Sequence, residues 1–256
     1  MRASDVHANF YNGNPTNDNT IDRVLYSEAY GNTIWNDLVN QGLISPSAIG
    51  SYHQLQVVEY GNMHYRPAIQ IGLGFRYDYD NQWGWLAHFD YSKLHAVGAF
   101  NLSSTNGTGI LSNVGQYVTC AIAGAEERIY IDFGLSKKVR LENGFDLGFE
   151  FGASMNNTKV ESNDMQIAGA TYSILDRWNG ESPSIYGYTY EYINQGGVGF
   201  GGFGSVNYSL TLPNHSAITA GYTLYYTKIN LSKYESMGLQ HMLFLRFDMN
   251  DFSFFD

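Results

Sequence analysis

The chain has 256 residues, a formal net charge of −10, a mean hydropathy of −0.27 and one cysteine, Cys120. The acidic balance argues against nucleic acid as a partner, and a lone cysteine excludes an internal disulfide. No stretch approaches the ~20 apolar residues of a membrane helix, which leaves strands as the remaining way to cross a bilayer, since alternation dilutes their hydropathy.

Met1–Asp5 lacks the hydrophobic core of a signal peptide, so a secretion signal is expected to have been removed or to lie outside this sequence. A first strand is expected near Val6–Phe10, with residues 52–60 as the alternative. Residues 13–62 read as a long connection. Within it, Asn32 is a plausible N-cap for a short helix with Ile34, Trp35, Leu38 and Val39 on one face and Gly42 as its stop.

From residue 66 onward the chain alternates. In 66–79, Ile69, Ile71, Leu73, Phe75, Tyr77 and Tyr79 share a face. In 83–100, Trp83, Trp85, Ala87, Phe89 and Tyr91 do so, and the phase blurs near Lys93 and Leu94 as a bulge would make it. Residues 128–141 align Ile129, Ile131, Phe133, Leu135, Lys137, Val139 and Leu141. Residues 145–156 align Phe145, Leu147, Phe149, Phe151, Ala153 and Met155.

The clearest run is Val198 to Leu212. Val198, Phe200, Gly202, Gly204, Val206, Tyr208, Leu210 and Leu212 alternate with small or polar residues. A period of two over this length means strand, and the run far exceeds the usual ~5–6 residues. Ile218, Ala220, Tyr222, Leu224 and Tyr226 repeat the pattern. Leu239, His241, Leu243, Leu245, Phe247 and Met249 close it.

Short turns at Asp80-Asn81-Gln82, Glu142-Asn143-Gly144 and Pro213-Asn214-His215-Ser216 alternate with longer connections at 102–126, 160–196 and 232–238. Such asymmetry suits an up-and-down transmembrane β-barrel with long extracellular loops and a short loop helix. About eight strands are expected, in one domain over 1–256, with ten as the alternative. Aromatic content of 16% and 21 Tyr suit the aromatic belts of such a barrel.

The opposite faces carry Arg66, Arg76, Arg128, Lys138, Arg140 and Arg246 against Asp78, Asp90, Asp132, Asp146, Glu150 and Asp248, with His88 beside them. An eight-stranded barrel is only wide enough to be filled by side chains, so these charges must pair. The expected interior ion pairs draw on Arg76, Asp90, Arg128, Asp132, Glu150 and Arg246. This plug argues against a conducting pore. No catalytic, cofactor-binding or metal motif stands out: there is no G-x-S-x-G, H-E-x-x-H or P-loop, His88 with His95 is only a weak metal pair, and nothing pairs Ser92 with His95 for hydrolysis.

The closing strand Leu239–Phe247 and the hairpin Gly74–Gly84 resemble the small OmpA/OmpX-like outer-membrane β-barrels, Bacteroidota type, over about residues 63–250. The resemblance implies a bacterial outer-membrane location, contact with outer-membrane lipids and a terminal aromatic read by the assembly machinery, for which Phe247 and Phe252 are the candidates. Members of this family include anchors, adhesins and accessory subunits. The expected function is therefore a non-enzymatic subunit of a larger outer-membrane complex, bound to other outer-membrane proteins through its wall or its loops. Trp35, Trp178, Tyr186, Tyr188 and Tyr190 are the loop candidates for partner binding. A small pore and an outer-membrane lipid or peptide hydrolase are the alternatives.

Overall fold

The structure is a computed structural model that describes residues 1, 3, 5–27, 30–44, 54–79, 82–104, 117–141, 144–176, 195–212, 216–231 and 234–249. Ten strands form one antiparallel sheet: β1 (Leu55–Tyr60), β2 (His64–Tyr65), β3 (Gln70–Asp78), β4 (Trp83–Ser104), β5 (Val118–Arg140), β6 (Phe145–Ile167), β7 (Ala170–Ser173), β8 (Gly196–Thr211), β9 (Ala217–Leu231) and β10 (Tyr234–Asp248). The path across it is β1, β4, β5, β6, β8, β9, β10. β2 and β3 follow β1 along the same edge of β4, and β7 pairs with β6. Seven strand positions thus lie side by side. The up-and-down, all-β expectation holds, but the sheet is not closed into a barrel.

Among the described residues, three helices precede the sheet: α1 (Asp5–Ala8), which leads into a 3-10 turn at Asn9–Tyr11, α2 (Ile21–Leu25) and α3 (Gly31–Asn40). The strand expected at Val6–Phe10 is therefore helical. His7, Ala8, Phe10 and Tyr11 are all buried, and that spacing is met by a helical turn and not by a strand. The alternative at 52–60 is realised as β1. In α3, Ile34 and Leu38 are buried and Gly42 ends the helix in a left-handed conformation, φ +71°. Asn32 lies inside the helix; Tyr30 holds the N-cap position, and the Tyr30 amide donates to Ser27 Oγ at 3.1 Å.

Several strands run well past their expected ends. β5 begins ten residues early, at Val118, and β6 continues to Ile167. The reason is a reversal of polarity within the strands. In β4, Trp85, Phe89 and Tyr91 are exposed, whereas Leu94, Ala96, Phe100 and Leu102 are buried. The pleat keeps its period, so apolar residues pass from the outward face to the inward one. The blurred phase at Lys93-Leu94 is this reversal and not a bulge, because the β4–β5 register runs unbroken from Trp83 to Leu102. β5 repeats it, from exposed Ile131 and Phe133 to buried Ile122 and Cys120. β6 reaches the same end differently: Met165 and Ile167 keep the odd phase of exposed Phe149 and Phe151, and the extra residue Glu161 turns them inward. The register does shift in the β5–β6 pair, between Ala125 and Glu126, close to the same level.

The lower half of the sheet is apolar outside and polar inside. The upper half is ordinary: its inward residues join Ile21, Val24 and Leu25 of α2 and Ile34 and Leu38 of α3 in one hydrophobic core. The helices therefore form a cap on the long ends of the strands.

Gly124 sits beneath the Tyr11 ring, and a Cβ there would overlap that ring. Gly124→Ala is expected to lower stability by about 1–3 kcal/mol through overpacking. The outward Gly204, with nothing near its missing Cβ, is the control: Gly204→Ala should leave the denaturation midpoint unchanged.

Candidate functional site: the polar interior

The interior side chains fall into two layers. The upper layer lies where the polarity reverses. Glu126 and Arg128 are two apart on β5 and so share the inward face; both side chains are fully buried and ion-paired. Arg128 Nε donates to Glu126 Oε1 at 2.5 Å, and Tyr11 Oη donates to Glu126 Oε2 at 2.5 Å. Arg128 also donates to Gln240 Oε1 at 2.8 Å, Tyr65 Oη at 3.2 Å and Tyr130 Oη at 3.3 Å. Tyr130 donates to Gln240 Oε1 and Gln240 to Thr227 Oγ1. One ion pair thus joins the cap, β2, β5, β9 and β10.

The lower layer is built from β4, β5, β6, β9 and β10. Arg246 Nη2 donates to Glu150 Oε1 at 2.9 Å, its Nε lies 2.8 Å from Asp248, and its Nη1 lies 3.2 Å from His88 Nε2. Tyr225 donates to Asp132 Oδ2 at 2.8 Å. Leu86, Phe203 and Tyr225 form a small apolar cluster, with Met242 against it.

Of the six expected interior charges, Arg246 and Glu150 meet. Arg128 pairs with Glu126 instead, and Arg76 pairs with Asp78 on its own strand at 2.5 Å. Asp90 and Asp132 meet neither an arginine nor a lysine; they gather around His88. His88 and Asp132 are direct cross-strand neighbours, and His88, Asp90 and Asp132 bring one ligand atom each within 4.8 Å of one another. Among the described residues this is the set able to hold a divalent cation, although Arg246 already supplies positive charge beside the imidazole. Arg66 and Arg140 are exposed and leave the interior. Lys138 reaches Asp78 at 3.5 Å near the lower end.

Sequence reasoning missed Glu126 because the strand was started at 128. The signal was there: Glu126, Arg128, Tyr130 and Asp132 keep one phase. The pair His88 and His95 is split, the first facing inward and the second exposed. Ser92 is buried on the inward face, so Ser92 and His95 also point to opposite sides and form no hydrolytic pair. Trp35 is half-buried against the cap core. Trp178, Tyr186, Tyr188 and Tyr190 lie outside the described residues.

Compared with known proteins, the chain matches no family model, no curated protein and no solved structure.

Two expectations follow from the upper layer. Glu126→Gln leaves the Arg128 charge buried without its counter-ion and should cost about 3–5 kcal/mol, whereas the double variant Glu126→Leu with Arg128→Met should lose less than that single change. Equal losses in a denaturant titration would mean that the pair carries no buried-charge penalty.

The second concerns His7 of α1. Its Nε2 contacts Ser236 O at 3.0 Å, and its Nδ1 has no partner among the described residues. Burial, reinforced by the Arg128 charge, lowers its pKa from 6.5 to about 4, against the raising effect of the Ser236 bond. The folded state therefore keeps the ring neutral while the unfolded chain takes up a proton. Stability from this group is flat above pH ~6.5 and falls as pH drops from there towards ~4, at up to about 1.4 kcal/mol per pH unit. Limited proteolysis of the N-terminal segment should accelerate across that window, and His7→Gln should flatten the profile.

Proposed function

We propose that this chain is a membrane-embedded β-barrel protein without catalytic activity, serving as an accessory or structural subunit of a larger outer-membrane assembly in a bacterium of Bacteroidota type. The observation that carries the reading is the polarity reversal along the strands. Below it, Ile71, Phe75, Trp85, Phe133, Phe151, Phe200, Leu224 and Leu245 all point outward and are exposed. Water would solvate such a girdle poorly, and lipid solvates it well.

The edges of the girdle support the same reading. Above it, Lys93 is ion-paired with Glu161, and Tyr91 donates to Glu127 at 2.7 Å. Below it, Phe145 stacks on Tyr208 at 4.9 Å between centroids, and Lys137 lies over Trp83 at 5.2 Å. Aromatic and amphipathic side chains at both levels suit the interfaces of a bilayer.

Two observations count against the alternatives. The contacts Arg246–Glu150, Tyr225–Asp132 and Arg128–Gln240 across the interior favour a filled barrel over a pore. Ser92 and His95 lie on opposite faces, which removes the hydrolytic pair. The cap is what remains for recognition. It presents exposed Tyr26 and Tyr30, and β1 adds exposed Val58; large exposed side chains of this kind suit a protein contact.

Val206→Arg, on the outward face of β8, is expected to cost about 2–4 kcal/mol in bilayers. The protein should stay in the membrane fraction after alkaline carbonate extraction and show no steady conductance in planar bilayers. Extraction into the soluble fraction would refute the membrane reading; stable channels would promote the pore.

A further inference from the structure

The two edges of the sheet, β3 and β10, are not paired with each other. β3 occupies the first of the seven positions and β10 the last. Every neighbouring pair is antiparallel, so β3 and β10 run in the same direction. They cannot close on each other by the antiparallel pairing used everywhere else. One strand between them, antiparallel to both, would complete an even-numbered barrel.

Exposure marks the gap. Outward residues of inner strands range from 37% exposed at Met155 to 63% at Phe200; on the two edges, Ile69 and Leu243 reach 81%, Leu245 77% and Ile71 72%. Arg76 Nη2 points inward from β3 and, although buried, has no partner among the described residues.

The cap shows where the missing strand joins. The N-terminal segment bridges the upper end of the gap. His7 contacts Ser236 O of β10, Tyr234 donates to Val6 O, and the Tyr65 amide of β2 donates to Asp5 Oδ1. At the lower end of this bridge, Met1 N donates to Ala68 O at 2.6 Å and Ala68 N donates to Met1 O at 2.9 Å. That reciprocal pair is the hydrogen-bonded unit of an antiparallel ladder. Extended backward from Met1, the ladder runs down the open edge of β3.

We propose that the gap is filled by a strand joined directly to the N-terminal side of Met1, in a longer form of this chain, pairing antiparallel with β3 on one edge and β10 on the other. Ten residues span the edge, one opposite each of residues 69–78. Same-face pairing sets their chemistry. The first, third, fifth, seventh and ninth residues before Met1 lie opposite Ile69, Ile71, Leu73, Phe75 and Tyr77 and are apolar. The even ones lie opposite Gln70, Gly72, Gly74, Arg76 and Asp78 and are small or polar, with an acceptor for Arg76 among them. A second copy is disfavoured as the occupant. Joining two open sheets gives a much wider wall and would pull apart the cross-lumen contacts of Arg246 with Glu150 and of Gln240 with Arg128.

This inference deepens the barrel reading, and its test is read separately from membrane extraction, so that either can fail alone. The experiment uses the extended chain in a Cys120→Ala background, with Leu73→Cys and a cysteine at the fifth residue before Met1. These two form a non-hydrogen-bonded pair, whose Cα atoms come within about 4.5 Å and suit a disulfide. Mild oxidation should link them within one chain. A cysteine at the fourth residue, which faces the lumen, should not link to Leu73→Cys. Four results would overturn the proposal: no link at the fifth residue, a link between Leu73→Cys and Leu245→Cys that shows the edges meeting directly, a disulfide dimer through Leu73→Cys, or a reading frame before Met1 that lacks the alternation.

Discussion

The structure depends on one buried ion pair, Arg128 with Glu126. Two charges without solvent exposure are costly unless every donor and acceptor is met. Here the guanidinium is met by Glu126, Gln240, Tyr65 and Tyr130, and the carboxylate by Arg128 and Tyr11. The partners come from elements far apart in the chain, so the pair is satisfied only when the cap and the sheet are assembled together. It also sits at the level where an apolar interior above meets a polar interior below. A hydrophobic side chain here would face Tyr130, Gln240 and Thr227, and a lone polar one would face the core of Phe10, Ile122 and Leu94. The ion pair with its phenols is compatible with both sides.

That boundary explains how far the sequence was legible. Below it, alternation with a greasy outward face was plain, and the strands starting at Trp83, Phe145 and Ala217 begin within a residue of the expected places. Above it, alternation continues with the opposite polarity. Leu94, Phe100, Ile122 and Met165 belong to the same strands as Trp85, Phe133 and Phe151, but they face inward. A reading tuned to one outward apolar face stops where the face changes sign, as in β5 at 128, or where its outward positions turn polar, as in β6 at Asn157 and Lys159. Charge partners suffered likewise. The phase of Asp132, Glu150 and Arg246 was right, so these were correctly turned inward. Which charge meets which depends on the stagger between strands that are not neighbours, and one sequence does not contain it. The turn from strand to helix at Val6–Phe10 was lost for a related reason. Five residues with apolar Val6, Ala8 and Phe10 fit a period of two, and only the burial of His7 and Tyr11 reveals the helical period.

The same two-zone construction decides where function can reside. Here Arg246 is held by Glu150 and Asp248, Asp132 by Tyr225, and Gln240 by Thr227, with Tyr130 and Tyr225 only 5.5 Å apart between ring centroids. Hydrogen-bonded networks of this density rigidify the groups that form them. The cap is tied to the strands as firmly: Arg23 reaches Asp176 at 2.7 Å, Asn19 and Gln195 exchange hydrogen bonds at 2.9 Å, and Tyr172 donates to Asp37 at 2.7 Å. What such a molecule offers its surroundings is a rigid surface, apolar around the lower wall and mixed around the cap. The lower wall even has a dent at Gly202 and Gly204, rimmed by Phe149, Phe151, Tyr222 and Leu224, where two missing side chains leave apolar walls facing outward. The two surfaces differ in kind: exposed and apolar around the lower wall, mixed and tied down by an ion pair and hydrogen bonds around the cap.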